Sequence, residues 1–155
     1  MFKIIQEIHV EWGHCDPAGI VFNPNFFTWM DNAQEWLLAT AAPEFHNISH
    51  EQSFVGTPLV SSKADFKNPA RHGDLMELHS QIAKLGSSSF TFKFKFIVGD
   101  TLIADCEQTR VWACRLPNDP ENFAASPIPK EVRDKLQVEA CYRFVQTRTH
   151  DQESD

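Results

Sequence analysis

The sequence predicts an α+β fold in which an antiparallel sheet packs against one long helix. Residues 2–12 alternate between apolar and polar side chains, as in a half-buried strand. Residues 24–40 instead carry apolar side chains at the spacing of a helix. Four further strand-like segments follow between residues 57 and 114, with no helical pattern among them. Consecutive strands after a single helix favour an antiparallel sheet with the helix on one face.

The first strand has one apolar face, and the segment after it is expected to be a loop. The apolar face contains Phe2, Ile4, Ile8, Val10 and Trp12. Residues 13–19, with the sequence GHCDPAG, contain glycine and proline, which do not continue a strand easily.

The long helix is expected to begin at Pro24, because Asn23 suits an N-cap and proline suits the first helical position. Its apolar positions include Phe26, Phe27, Trp29, Met30, Ala33, Trp36, Leu37 and Leu38. This stripe is so wide that we expect a largely buried helix, covered either by a curling sheet or by a second subunit. The periodicity does not distinguish burial by the sheet from burial by a second subunit. Pro43 ends the helix near residues 40–42, and a loop with a short helical turn is expected over 44–56.

The later strands are predicted from alternation and from the turn residues between them. They span residues 57–67 (with Val60, Ala64 and Phe66 on one side), 74–85, 90–98 and 101–114. Gly99 and Asp100 suit a hairpin turn. A proline-rich linker over 117–129 is expected to lead into a short amphipathic helix, which carries Val132, Leu136 and Ala140. We expect one domain over 1–147 and a polar tail over 148–155.

Composition excludes several classes of partner. Lys and Arg number 14 against 21 Asp and Glu, a formal net charge of −7, which argues against nucleic acid or an anionic membrane as a partner. No apolar run approaches the roughly 18 residues of a membrane span. The charged N-terminal residues argue against an export signal, so a cytoplasmic location is expected. The 13 Phe and 4 Trp against a single Tyr suggest an apolar interior and an apolar pocket.

No metal or cofactor is expected. The cysteines are Cys15, Cys106, Cys114 and Cys141, which form no CxxC pair and are expected to be free thiols in a reducing compartment. His46 and His50 stand four residues apart, but without an HExxH glutamate they do not favour a metal site. The sequence also lacks the GxSxG, GxGxxG and GxxxxGK[ST] motifs.

The segment 12–30 carries the best candidate chemistry. Asp16 lies in a constrained loop directly before the long helix, whose N-terminus offers unpaired N–H donors for a developing negative charge. A carboxylate near such donors is suited to attack a carbonyl or to activate water. The structural alternative is that Asp16 only closes an Asx-type turn before Pro17.

Two blocks of the sequence resemble a known family. Residues 15–21, CDPAGIV, together with the following Asn23-Pro24-Asn25-Phe26, closely resemble the signature of the 4-hydroxybenzoyl-CoA thioesterase family. Residues 55–61, VGTPLVS, resemble its second block at a similar spacing, and Ile128-Pro129 resemble its C-terminal end. The resemblance covers roughly residues 5–140. It implies the hot-dog fold, a curved antiparallel sheet, here of about five strands, wrapped around one long helix.

The resemblance implies an acyl-CoA thioesterase that needs no cofactor. Asp16 matches the family's catalytic carboxylate, which acts on the thioester carbonyl as nucleophile or general base. Asn23 matches the position whose backbone N–H polarises that carbonyl, and Thr57 matches a threonine that lines the site near the dimer interface. Family members are homo-oligomers, usually dimers of dimers with active sites shared by two subunits, so the same is expected here.

The sequence departs from the family at two substrate contacts. Phe45 replaces a tryptophan that meets the phenolic hydroxyl, so an unsubstituted aryl group or another apolar acyl group becomes plausible. The basic residues that contact the CoA phosphates fall on Gly86, Ser87 and Ser88. Cations that would compensate are Lys84, Lys63, Lys67 and Arg71.

Two other functions fit parts of the pattern. A hot-dog enoyl hydratase or dehydratase needs an acid–base pair, for which His14 beside Asp16 is the only adjacent candidate, although neighbouring side chains point apart on an extended chain. A non-catalytic acyl-CoA-binding protein would keep the pocket without turnover, and the intact block around Asp16 argues against it. The acyl group, its attachment to CoA or to a carrier protein, and the role of Cys15 are left open.

Overall fold

A computed structural model describes residues 1–44 and 53–145, within which there are two helices and nine strands. The strands are β1 (Lys3–His9), β2 (Phe54–Gly56), β3 (Leu59–Phe66), β4 (Leu75–Leu85), β5 (Ser89–Val98), β6 (Thr101–Val111), β7 (Ala113–Leu116), β8 (Asp119–Ala125) and β9 (Cys141–Phe144). The helices are α1 (Pro24–Ala41) and α2 (Lys130–Leu136), and a short 3₁₀ turn spans Trp12–His14. None of the described helices is long and apolar enough to cross a membrane.

The main sheet has six strands in the order β3-β6-β5-β4-β1-β9, and a small sheet has the order β2-β7-β8. All pairs are antiparallel except β1 with β9. The predicted α+β class is therefore confirmed. The predicted Gly99–Asp100 hairpin is also present, because Val98 pairs with Thr101 and Gly99 has a φ of +58°, which glycine adopts without strain.

The main sheet has six strands where about five were predicted, and the three strands of the small sheet were not resolved as a separate sheet from the sequence. The segment 101–114 breaks at Trp112 into β6 and β7, and β8 lies in the predicted linker. The strands β2 and β9 have only three and four residues, too few to show an alternating pattern. The strand β8 is exposed along its whole length, so it has no buried face for the sequence to mark.

The core lies between α1 and the inward face of the main sheet. The side chains of Phe90, Phe92, Phe94 and Phe96 are fully buried on β5, as the alternation predicts. From the helix, Phe26 packs edge-on against Phe96 with ring centroids 4.9 Å apart. The α2 residues Val132 and Leu136 are buried too, whereas Ala140 lies beyond the end of that helix.

The sheet covers only one face of α1 in the single chain, so of the two predicted covers the sheet alone does not bury the helix all round. Phe27 is 38% exposed and Trp36 is 52% exposed. Trp12, predicted on the buried face of the first strand, is 75% exposed because β1 ends at His9 and the 3₁₀ turn redirects the chain.

The edge strand β3 also differs from expectation. Val60 and Phe66, predicted on one side of the strand together with Ala64, are exposed, and Leu59 beside them is exposed as well. The physical reason is position: β3 is the outermost strand of the main sheet, on the side where β6 is its only neighbour. Apolar side chains on an exposed edge mark a surface suited to contact with another chain.

Several predictions lie outside the described residues. They concern Phe45, His46 and His50, the short helical turn expected within 44–56, and the polar tail over 148–155. The domain boundary near residue 147 likewise stays a prediction.

We expect Ser80→Ala to raise stability. The Ser80 hydroxyl is fully buried and has no hydrogen-bond partner among the described residues. Replacing it by hydrogen removes a desolvated polar group without breaking a bond, for a gain of about 0.5–1.5 kcal/mol measured by urea unfolding. Ser62→Ala is the matched control, because that hydroxyl accepts a bond from Gln108 Nε2 at 3.2 Å, and it should lower stability. A lower unfolding midpoint for Ser80→Ala would contradict the expectation.

Candidate active site

The loop before α1 is shaped by its own backbone. The Asp16 N–H donates to the Ile20 carbonyl and the Gly19 N–H donates to the Asp16 carbonyl, both at 2.9 Å. Gly19 has a φ of +78°, which permits this tight reversal. Cys15 then pairs with Val21 in an antiparallel bridge. Residues 13–19 thus form a closed turn, in agreement with the constrained loop predicted there.

The Asp16 carboxylate is held at one oxygen. Its Oδ1 accepts a hydrogen bond from the Ala18 N–H at 2.9 Å, which is the Asx-type turn predicted as the structural alternative. The side chain is half-buried. A carboxylate fixed through one oxygen keeps its orientation while the other oxygen retains its lone pairs, so the turn is compatible with a chemical role.

The N-terminus of α1 offers one backbone donor. Helix α1 begins at Pro24 as predicted, with Asn23 at the N-cap, but the Asn23 side chain makes no capping bond and its backbone is already helical. The Asn25 and Phe26 N–H groups are used by the carbonyls of Phe22 and Asn23, at 3.0 and 3.1 Å. Within residues 1–44 and 53–145, the Asn23 N–H has no acceptor. It is therefore available to a ligand.

An apolar cavity of about 370 Å³ adjoins this donor. Asn23 and Phe26 line it from the helix, and Phe66 and Lys67 line it from the end of β3. Asp16 is not among its lining residues, although the neighbouring Ile20 and Val21 are. The cavity is suited to an apolar group whose polar end lies at the start of the helix.

His14 lies on the other flank of α1. It lines a larger cavity of about 550 Å³, whose lining includes neither Asp16 nor Asn23. Its Nδ1 accepts the Glu11 N–H at 2.9 Å, and its ring packs edge-on against Trp29. The structure thus gives no support to an acid–base pair of His14 with Asp16.

Thr57 lies at the corner between β2 and β3, farther along the helix. Its hydroxyl donates to Gln34 Oε1 at 3.0 Å. Gln34 is eleven residues beyond Asn23, which corresponds to about 16 Å along the helix axis. Within one chain, Thr57 therefore does not share the cavity beside Asn23.

Lys84 and Ser87 lie at the far end of β4. The other end of that strand adjoins the Asp16 loop, where Val10 N–H binds the Asp74 carbonyl at 2.9 Å. A strand of eleven residues spans about 33 Å. One chain thus brings Asp16 and Asn23 together at one end of the sheet and leaves Lys84 and Ser87 at the other.

Sequence reasoning missed two arginines. Arg133 of α2 donates to the carbonyls of Gly86 and Ser87, so a cation lies at the turn where the resemblance predicts the basic residues that contact CoA. Arg110 of β6 is buried and binds both Asp31 and the Thr57 carbonyl. A signal for Arg110 was present, because Gln108 and Arg110 occupy inward positions of a strand pattern that is otherwise apolar.

Among the described residues, the thiols and acidic groups form no second catalytic or metal site. Burial raises the pKa of the Cys106 thiol to about 12, which makes it a poor nucleophile. Cys15 Sγ is 3.7 Å from the Glu11 carbonyl. On the outer sheet face, Arg143 and His79 bind Glu77 and lower the pKa of that carboxyl. No group of three or more His, Cys, Asp or Glu suited to a metal ion is found in residues 1–44 and 53–145.

Comparison with known proteins assigns the chain. The family model described as the thioesterase-like superfamily matches residues 10–136. The chain belongs to this superfamily. The 4-hydroxybenzoyl-CoA thioesterase of Pseudomonas sp. (strain CBS-3) is 31% identical over 145 residues, which cover 90% of this chain and 97% of that protein. Membership confirms the predicted resemblance and identifies a thioester hydrolase.

Two solved structures confirm the hot-dog fold. One is a mutant of 4-hydroxybenzoyl CoA thioesterase complexed with 4-hydroxybenzoyl CoA, which matches this thioesterase with a TM-score of 0.79 at 28% identity. The match covers 88% of this chain and 99% of that chain. A gentisyl-coenzyme A thioesterase matches with a TM-score of 0.71 at 31% identity, and covers 83% and 98%.

Proposed function

We propose that this superfamily member hydrolyses the thioester of an aryl or other apolar acyl-CoA to the free acid and CoA. The observation that carries the proposal is the unpaired Asn23 N–H beside an apolar cavity, one short loop away from the Asp16 carboxylate. The aryl-CoA substrates named for its relatives support the acyl class.

In the proposed mechanism, the thioester carbonyl oxygen accepts a hydrogen bond from the Asn23 N–H. That bond stabilises the negative charge that develops on the oxygen in the transition state. Asp16 either attacks the carbonyl carbon, which forms an anhydride that water then opens, or removes a proton from the attacking water. In both routes the C–S bond breaks and CoA leaves as a thiolate, which needs little help from a general acid.

The acyl group is assigned to the cavity of Phe26 and Phe66. Its apolar walls favour an aryl or aliphatic group, and Phe45 offers no donor for a ring hydroxyl. For the CoA phosphates we propose the turn at Ser87, with Lys84 as the nearby cation. Since these residues lie at the far end of the sheet from Asp16, a site that uses both needs a second subunit.

We therefore propose a homo-oligomer, built as a dimer of dimers with shared active sites. Exposed apolar side chains support this assembly: Leu59, Val60 and Phe66 on β3, Phe27 on α1, and Phe22 just before that helix. A second copy would cover this surface, which the sheet of the single chain leaves open.

Thiol release from a panel of CoA thioesters tests the function. The panel contains benzoyl-, 4-hydroxybenzoyl- and phenylacetyl-CoA with short and long aliphatic acyl-CoAs. We expect faster hydrolysis of aryl than of aliphatic substrates, and a benzoyl rate at least equal to the 4-hydroxybenzoyl rate if Phe45 sets the preference. Binding of acyl-CoA without thiol release would instead indicate the non-catalytic binder, and preference for aliphatic chains would contradict the acyl assignment.

A further inference from the structure

We infer that Arg110 is a positioning residue for the proposed site: from β6 it fixes the β2–β3 corner at Thr57 against helix α1. The inference rests on the proposed function with sites shared by two subunits, because the resemblance implies that Thr57 lines such a site near the dimer interface. It concerns the placement of Thr57 and not the chemistry at Asp16.

Arg110 makes one bond to the corner and one to the helix. Its Nη1 donates to the Thr57 carbonyl at 3.2 Å and its Nη2 donates to Asp31 Oδ1 at 2.8 Å. The Arg110 side chain is only 7% exposed, whereas Asp31 is 65% exposed. Because the guanidinium is planar with donors in fixed directions, these bonds fix the corner and the helix relative to each other.

The guanidinium itself is held in one orientation. Gln108 Oε1 accepts from Arg110 Nε at 3.2 Å and from Nη2 at 3.0 Å. The amide of the buried Gln108 in turn donates to Ser62 Oγ at 3.2 Å. A buried arginine with this many partners has lost its rotamer freedom already, so it positions its neighbours at little further entropic cost.

The bonds from Arg110 matter at this corner because regular strand pairing is interrupted there. The register between β3 and β6 shifts between Leu59 and Ser61. Gly56, directly before Thr57, has a φ of +128°. Just after Thr57, the bond from Val111 N–H to the Pro58 carbonyl measures 3.2 Å.

Thr57 is thereby tied to α1 twice, by its own hydroxyl to Gln34 and through Arg110 to Asp31. Arg110 therefore helps set where Thr57 lies on the surface of α1, and so how this corner is presented to the site that two subunits share. Asp31 is eight residues from Asn23, about 12 Å along the axis, so loss of Arg110 should not disturb the chemical step.

A double-mutant cycle tests this role. Arg110→Met and Thr57→Ala are each expected to raise KM about tenfold with kcat nearly unchanged, measured on the CoA ester that the unmodified protein hydrolyses best. If Arg110 acts through Thr57, the double variant should be little worse than either single variant. Arg115→Met is the control, because that exposed arginine also donates to a backbone carbonyl, Pro120 O at 2.6 Å, and its loss should change neither constant.

Three outcomes overturn the inference. If the KM increase of the double variant equals the product of the two single increases, Arg110 does not act through Thr57. An unchanged KM in Arg110→Met, with only a lower melting temperature, would show a structural role alone and leave the proposed function intact. Absence of hydrolysis in the unmodified protein would overturn the function, and this role with it. If Arg110→Met does not fold, Arg110→Lys is measured instead. We expect an intermediate KM, because lysine keeps the charge but lacks the planar guanidinium with its several donors.

Discussion

Asp16→Asn is expected to lower kcat by on the order of 10²-fold or more, with a modest change in KM. Asparagine keeps the Oδ1 acceptor, so the bond from the Ala18 N–H and the shape of the loop should persist. What it loses is the negative charge that either attacks the thioester carbonyl or takes a proton from water. Steady-state thiol release on the best CoA ester measures the effect, and the thermal midpoint verifies the fold.

Asp74→Asn is the matched control for this experiment. Asp74 lies in the neighbouring loop and also binds a backbone N–H through its carboxylate, that of Arg71 at 2.8 Å. It should leave kcat within about twofold, because most substitutions away from the reacting atoms change little. Turnover like that of the unmodified protein in a folded Asp16→Asn variant would rule out the proposed role of Asp16.

The largest expected loss of stability follows from Phe94→Ala. Phe94 is fully buried at the centre of the row of phenylalanines on β5, and its ring stacks on Phe92 with centroids 6.0 Å apart. Removing a buried ring loses its transfer free energy and leaves a cavity, together about 3–5 kcal/mol. Urea unfolding measures this loss, at several protein concentrations because subunit association would contribute to the apparent stability.

Phe123→Ala provides the comparison on the same scale. Phe123 lies on β8 and is 56% exposed, so we expect a change within about 0.5 kcal/mol. A loss below about 1 kcal/mol for Phe94→Ala would mean that the core around β5 repacks, against the close packing expected of this interior.

The sequence by itself determined the elements whose signal is local. The start of α1 at Pro24, the buried face of β5 and the hairpin at Gly99 each depend on residues within a few positions of one another. The block around Asp16 was equally readable, because the resemblance lies in contiguous residues and the turn it forms is closed by its own backbone.

Only the tertiary structure decided which distant residues meet. Arg110 binds Asp31, 79 positions earlier in the chain, and no periodicity links the two. The exposed edge at β3 follows from the strand order, which places β3 outermost. The separation of Lys84 from Asp16 follows from the length of β4, whose two ends lie at opposite ends of the sheet. Local spacing decides which face a side chain occupies, whereas the packing of elements decides what lies opposite that face.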